Sequence, residues 1–215
     1  MDSLDQLDHF DHFEYERRFF CESIPSEILA DEAPTLIVQS YYVHQDNYAL
    51  RVRLNAKNVR LDMAEDTDPI SVLARYRDSF TEATLTAKGP AVGGTRYELE
   101  NSIDPDVAAE LVFRGGKAII KNRYSIWQGE DGWKIDLFGA DNYPLIVAEV
   151  ERHNPVTNLV IPSFCTTEIT DQARFSNDGL AGKPFSAWKD DFAAELEEVG
   201  PLFLDSFGEN RREEE

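Results

Sequence analysis

The chain has 215 residues, 42% of them hydrophobic and 11% aromatic, a globular composition with room for one sizeable core. Its formal net charge of −20 excludes nucleic acid as a bulk ligand and an anionic membrane surface as a partner, but not an anion held where the 21 Lys and Arg residues gather. It contains no apolar run long enough to cross a bilayer, and the acidic opening MDSLDQLDHFDHF lacks a signal peptide's basic and apolar regions, so a cytoplasmic location is expected.

Residues 1–12 read as an acidic mobile N-terminus. Segment 13–20 then alternates: Glu14, Glu16 and Arg18 share one face, while Phe13, Tyr15, Arg17 and Phe19 share the other. Cys21 and Cys165 are far apart in sequence, which favours reduced thiols over a disulfide or zinc framework. Strands are expected at 37–43 and 48–54, the second setting Arg51 and Arg53 against Leu50, Val52 and Leu54. Residues 55–82 look like an insertion carrying a helix, opened by Asp68-Pro69 and striped by Ile70, Leu73, Arg77 and Phe80. A strand at 83–88 aligns Lys88 with Thr84 and Thr86, and one at 95–102 aligns Arg96, Glu98 and Glu100. Asp104-Pro105 predicts a helix N-cap with proline at the first helical position, ending at Gly115-Gly116. Strand 118–127 aligns Lys121, Arg123 and Ser125; strand 132–138 aligns Lys134 and Asp136; strand 145–152 aligns Glu149 and Glu151. Phe185, Trp188, Phe192, Leu196 and Val199 predict an amphipathic C-terminal helix within 185–208, packed on the rest, before a charged, solvated tail at 209–215.

These elements predict an α+β fold, mainly antiparallel β, with eight strands in a closed or nearly closed barrel and helices packed outside. The charged face repeats Glu-x-Glu, Arg-x-Arg and Lys-x-Arg. Like charges two apart on one face repel unless an opposite charge bridges them, and divalent metal relieves carboxylates as polyphosphate relieves cations. That face is therefore expected to line a tunnel rather than meet bulk water.

The order of these segments resembles the CYTH-type triphosphate tunnel metalloenzymes. The likeness covers most of residues 13–184: Glu14-x-Glu16-x-Arg18, Arg51-x-Arg53, "TAKGPAVGGTRYELE" (86–100), "KNRY" (121–124), "WKIDLFGADN" (133–142), "LIVAEVE" (145–151) and "TDQARFSNDGLA" (170–181). The third position of the first motif is usually Lys; Arg18 keeps the charge but cannot act as a proton donor. The resemblance implies a tunnel binding a triphosphate and up to two divalent cations, Mg²⁺ or Mn²⁺. The activity it implies is hydrolysis of inorganic triphosphate or a related organic triphosphate, with a class IV-type adenylate cyclase and a non-catalytic polyphosphate- or nucleotide-binding module as alternatives.

On that reading Arg51, Arg53, Lys88, Arg96, Lys121 and Arg123 hold phosphate oxygens. Glu14, Glu16, Asp136, Glu149 and Glu151 bind metal, and Glu14, Glu16, Arg18, Glu98 and Glu100 form the catalytic set. His9, His12, His44 and His153 have no second His or Cys at metal-ligand spacing and are read as ordinary polar residues. A triphosphate-containing small molecule is the expected partner. Oligomeric state is not legible, and a homodimer stays open.

Overall fold

The computed structural model describes residues 13–45, 48–92 and 95–213. The side chains of residues 13, 14, 44, 45, 91, 92, 95 and 96 fall outside the description, as do residues 1–12 with His9 and His12.

Eight antiparallel strands appear where the alternation predicts them: β1 (Phe13–Cys21), β2 (Thr35–Gln45), β3 (Tyr48–Ala56), β4 (Glu82–Val92), β5 (Thr95–Ser102), β6 (Lys117–Gln128), β7 (Asp131–Phe138) and β8 (Ile146–Arg152). They run in the order β1-β5-β4-β3-β2-β6-β7-β8, and β8 pairs back onto β1, so the sheet closes on itself. β1 makes the closure by dividing its length. Phe13 to Tyr15 pair with β5, and Tyr15 to Cys21 pair with β8. Where β5 leaves off, the short strand β10 (Thr167–Glu168) takes the free side of β1 at Phe19 and Phe20. A closed sheet exposes no edge to other chains.

The outer face is apolar and covered. One outer cluster joins Leu36, Val52, Leu54 and Ile120 to helices α2 (Pro69–Arg75) and α3 (Pro105–Arg114) through Leu73, Ala108, Ala109 and Val112. Both helices begin as predicted. Asp68 accepts from the Ser71 amide at 2.7 Å, Asp104 accepts from the amides of Asp106 and Val107, and a proline fills the first turn of each. Asn122 pins the insertion to the wall by donating 2.7 Å to the Leu61 carbonyl. A second outer cluster, around Phe19, Trp133, Ile135 and Val150, packs against the short helix α1 (Ser26–Asp31) and against Val156, Leu159, Ile161, Phe164 and Phe203. Cys21 and Cys165 are buried there as free thiols.

A third cluster lies inside the barrel. Tyr41, Ala49, Ile119, Phe138 and Val147 continue the inward faces of their strands and meet Phe175, Leu180, Phe185, Trp188 and Phe192. Leu180 comes from α4 (Asn177–Gly182) and Phe192 from α5 (Lys189–Val199). Edge-on rings at 4.9 Å, Phe175 with Trp188 and Phe20 with Phe192, build an aromatic floor across one end of the bore.

Three expectations change here. The C-terminal stripe is not one helix: Phe185–Ala187 is a single 3-10 turn, α5 starts at Lys189, and Val199 is 63% exposed. The described part of the tail is not solely a solvated end, since β11 (Arg211–Arg212) pairs in parallel with β9 (Val160–Ile161). Arg17, grouped with the outward aromatics, is fully buried outside the barrel. It grips both Glu168 oxygens at 2.8 and 2.7 Å and donates to Asn210 Oδ1 at 2.8 Å.

Candidate active site

The alternation that turns apolar residues outward aims a charged set into the bore. Glu16, Arg18, Arg51, Arg53, Lys88, Glu98, Glu100, Arg123, Glu149 and Glu151 all line one cavity of about 120 Å³ above the aromatic floor. Strand register sets their neighbours: Glu16 faces Glu151, Arg18 faces Glu149, and Lys88 faces Glu98. Cross-strand neighbours of this kind lie close enough for side chains to interact directly.

Burial disfavours the charge of two basic groups in this cavity, Arg53 and Lys88. Arg53 donates from Nε to Gln39 Oε1 at 3.0 Å, but burial, with Arg51 and Arg123 adding positive charge nearby, pushes its guanidinium down to about 10. Arg51 is better matched. Its Nη2 reaches Thr86 Oγ1 at 2.9 Å, Glu98 at 3.4 Å and Glu100 at 2.8 Å. Yet the buried Nε atoms of Arg51 and Arg18 have no hydrogen-bond partner among the described residues. Lys88 pairs with Glu98 while burial, first, and the Arg51 charge lower its ammonium below the ordinary lysine range. A buried cation with an idle donor is a demand for an anion.

On the neighbouring wall the problem is reversed. Burial raises the Glu16 carboxyl above its ordinary range; Arg18 pulls the other way, and the Glu149 and Glu151 charges add to the rise. Each of these carboxylates has a basic group close by: Arg18 Nε lies 3.7 Å from Glu16, Arg123 Nη2 lies 3.0 Å from Glu149, and Lys134 pairs with Glu151.

Asp136 and Lys121 stand elsewhere than the sequence suggests. Asp136 is fully buried in the wall, with Arg123 on both oxygens at 2.6 Å and Lys121 at 2.5 Å. Its oxygens accept from those cations, and it stands in the wall behind the residues that line the cavity. Burial opposes ionisation, but the Arg123 and Lys121 charges outweigh it and hold the carboxyl well below the usual range. Lys121 is likewise fully buried, its Nζ spent on Asp136 and on Asn177 Oδ1 at 2.8 Å, which removes it from the cavity lining. Burial pushes its ammonium down to about 7 against the pull of Asp136. Glu14 and Arg96 are register neighbours across β1 and β5, but their side chains lie outside the described residues.

The cavity also takes residues that sequence reasoning missed: Tyr41, Lys134, Ser176, Asn177 and Asp178. Lys134 shares the periodic face of Asp136 and could have been found that way. Asn177 and Asp178 sit at the start of α4, where Ser176 caps the helix by accepting from the Gly179 amide at 3.1 Å. Only the fold brings Asn177 beside Lys121 and Gln39.

A closed antiparallel barrel whose bore is lined by facing cations and carboxylates defines an enclosed polyanion-and-cation site. No family model matches the sequence. A curated inorganic triphosphatase from Acetivibrio thermocellus is 30% identical over 118 residues, which covers 54% of this chain and 76% of that protein. Two crystal structures of NE1496, one described as an inorganic triphosphatase and one as a hypothetical protein, share the fold at a TM-score of 0.50. Their identities are 22% and 24%, covering 78% of this chain and 93% and 97% of theirs. The chain belongs to the triphosphate tunnel metalloenzyme family.

Proposed function

We propose that the protein is a divalent-metal-dependent hydrolase of inorganic triphosphate or a related organic triphosphate. One observation carries this: Arg53, whose charge burial disfavours, and the buried Nε donors of Arg18 and Arg51, which lack a hydrogen-bond acceptor among the described residues, share a cavity with the crowded carboxylates Glu16, Glu149 and Glu151. The A. thermocellus relative supports the same reading.

The carboxylate wall fits a hard cation. Its donors are all oxygen, and the crowding of Glu16 by Glu149 and Glu151 is relieved by positive charge. Among the described residues no three acids form a ready-made chelating cluster, so the carboxylates would exchange their Arg and Lys neighbours for the ion and its waters. Glu16, Glu149 and Glu151 would hold Mg²⁺ or Mn²⁺, with Glu14 as the further candidate on the same strand face. Such an ion, when bound, neutralises phosphate charge and lowers the pKa of a bound water.

The chain's own residues do the rest. Arg18, Arg51, Arg53 and Arg123 present guanidinium forks suited to phosphate oxygens, and Lys88 adds a point charge. Glu98, Glu100 and Thr86 orient Arg51, while Asp136 orients Arg123, so the forks are set before substrate arrives. Arg18 stabilises charge and does not give up a proton.

The test is orthophosphate release from inorganic triphosphate, ATP and thiamine triphosphate with Mg²⁺ or Mn²⁺, with cyclic AMP measured in the ATP reactions. Metal-dependent phosphate release is expected. Cyclic AMP as the main product, or tight binding without turnover on every substrate, would overturn the assignment.

A further inference from the structure

Trp127 is the most exposed large apolar side chain among the described residues, at 79%. It lies on the inward-facing register of β6, two residues beyond Ser125 and four beyond Arg123, where that face emerges at the rim of the bore. Across the strand pair stands Gly132, and its missing side chain matters. A Cβ there would sit 3.6 Å from the indole Cη2, so the ring lies over bare backbone and keeps its other face open.

Beside it opens a second depression of about 740 Å³, bordered by Trp127, Gly132, His153 and Pro155. Lys134 and Glu151 line this depression and also the charged cavity, so the two spaces meet at that ion pair. Stepping inward along paired residues, Trp127 and Gly132 give way to Ser125 and Lys134, then to Arg123 and Asp136. An aromatic face, then a lysine, then the guanidinium forks is the sequence of groups met by a molecule carrying a planar ring at one end and phosphates at the other.

We infer that Trp127 is a specificity-determining stacking platform for the heteroaromatic base of an organic triphosphate, with Lys134 meeting the phosphate nearest the base. The inference rests on the triphosphate-hydrolase reading and narrows its substrate class. Holding a bare indole in water forgoes the free energy of burying it, whereas a stacked base covers it and uses its π-face. Because every base presents such a face, the platform selects for an aromatic group without choosing among bases.

The experiment compares inorganic triphosphate with ATP in the wild type, W127A and W127F. The loss of one base–aromatic stack predicts a KM for ATP raised about tenfold in W127A. The KM for inorganic triphosphate, which has no ring, stays within about twofold by the same reasoning, and W127F keeps most of the ATP affinity. Trp133 and Trp188 are buried, so ATP should quench the indole emission of the wild type and not that of W127F. That binding readout needs no turnover, so it decides the inference even if hydrolysis fails. Normal cleavage of inorganic triphosphate with no quenching by ATP would overturn the platform alone. So would equal KM changes for both substrates, or a dimer in sedimentation that W127A dissolves, since the ring would then serve a second copy of the chain.

Discussion

Arg123 holds both oxygens of Asp136 at 2.6 Å, and Asp136 is fully buried beneath it. The pair therefore works as a foundation under a cavity-lining guanidinium. Asp136→Asn takes the facing carboxylate from the buried Lys121 and one of the two from Arg123, which keeps Glu149, and the expected loss at neutral pH is about 3–5 kcal/mol. The folded-state carboxyl is held below its ordinary value of 3.8, so its contribution is full above that value and drains away as pH falls through the folded-state value. Urea unfolding at pH 7 and near pH 3 should show the gap between wild type and variant closing in acid. A gap independent of pH would contradict the pairing.

Arg53 tests the anion side. Its charge already sits unfavourably beside Arg51 and Arg123. Arg53→Gln should therefore cost the ligand-free protein no more than the roughly 1 kcal/mol of its hydrogen bond to Gln39. Inorganic triphosphate should nonetheless bind about tenfold or more weakly, since hydrogen bonds to charged groups are worth about 1.5–3 kcal/mol. Thermal shift against triphosphate concentration measures both quantities. An unchanged ligand-induced shift would remove Arg53 from the binding set.

Glu16 tests the metal side. Glu16→Gln should lower Mg²⁺- or Mn²⁺-dependent turnover at least as much as the roughly 10–100-fold that follows loss of an outer metal partner. Its burial beside Glu149 and Glu151 makes the ionised carboxylate costly without a cation, so the metal-free variant should melt no lower than the wild type. Calorimetry with and without the ion separates the two effects. Turnover at the wild-type level would exclude Glu16 from the site.

Arg17 is the control from the same strand. Its side chain faces away from the bore and is spent on Glu168 and Asn210. Arg17→Met should destabilise by about 3–5 kcal/mol through the stranded Glu168. The KM of the folded fraction should be unchanged. A selective rise in KM would mean that the strand's two faces are not independent.

The eight strands were legible because a two-sided barrel wall writes its period of two directly into the chain, as in Arg51, Val52, Arg53 and Leu54. Helices α2 and α3 were legible from Asp-Pro starts, where the cap and the first turn are local chemistry. What alternation could not supply was depth. Lys121, Arg123, Lys134 and Asp136 share an inward register, yet Lys121 and Asp136 neutralise each other within the wall while Arg123 and Lys134 reach the cavity. Arg17 looked like a stray charge among aromatics because its partner Glu168 is 151 residues away. Asn177 reaches Lys121 only because α4 folds back onto β2 and β6.

The aromatic floor of Phe175, Trp188 and Phe192 has a consequence for traffic. Rings packed across that end close one route into the charged cavity. Lys134 and Glu151 border both that cavity and the depression at the rim, while Tyr41 and Asp178 border both it and a further depression beside Gly116 and Gly182. Two borders therefore lie between the cavity and open depressions. An entering triphosphate and a departing fragment need not compete for one passage.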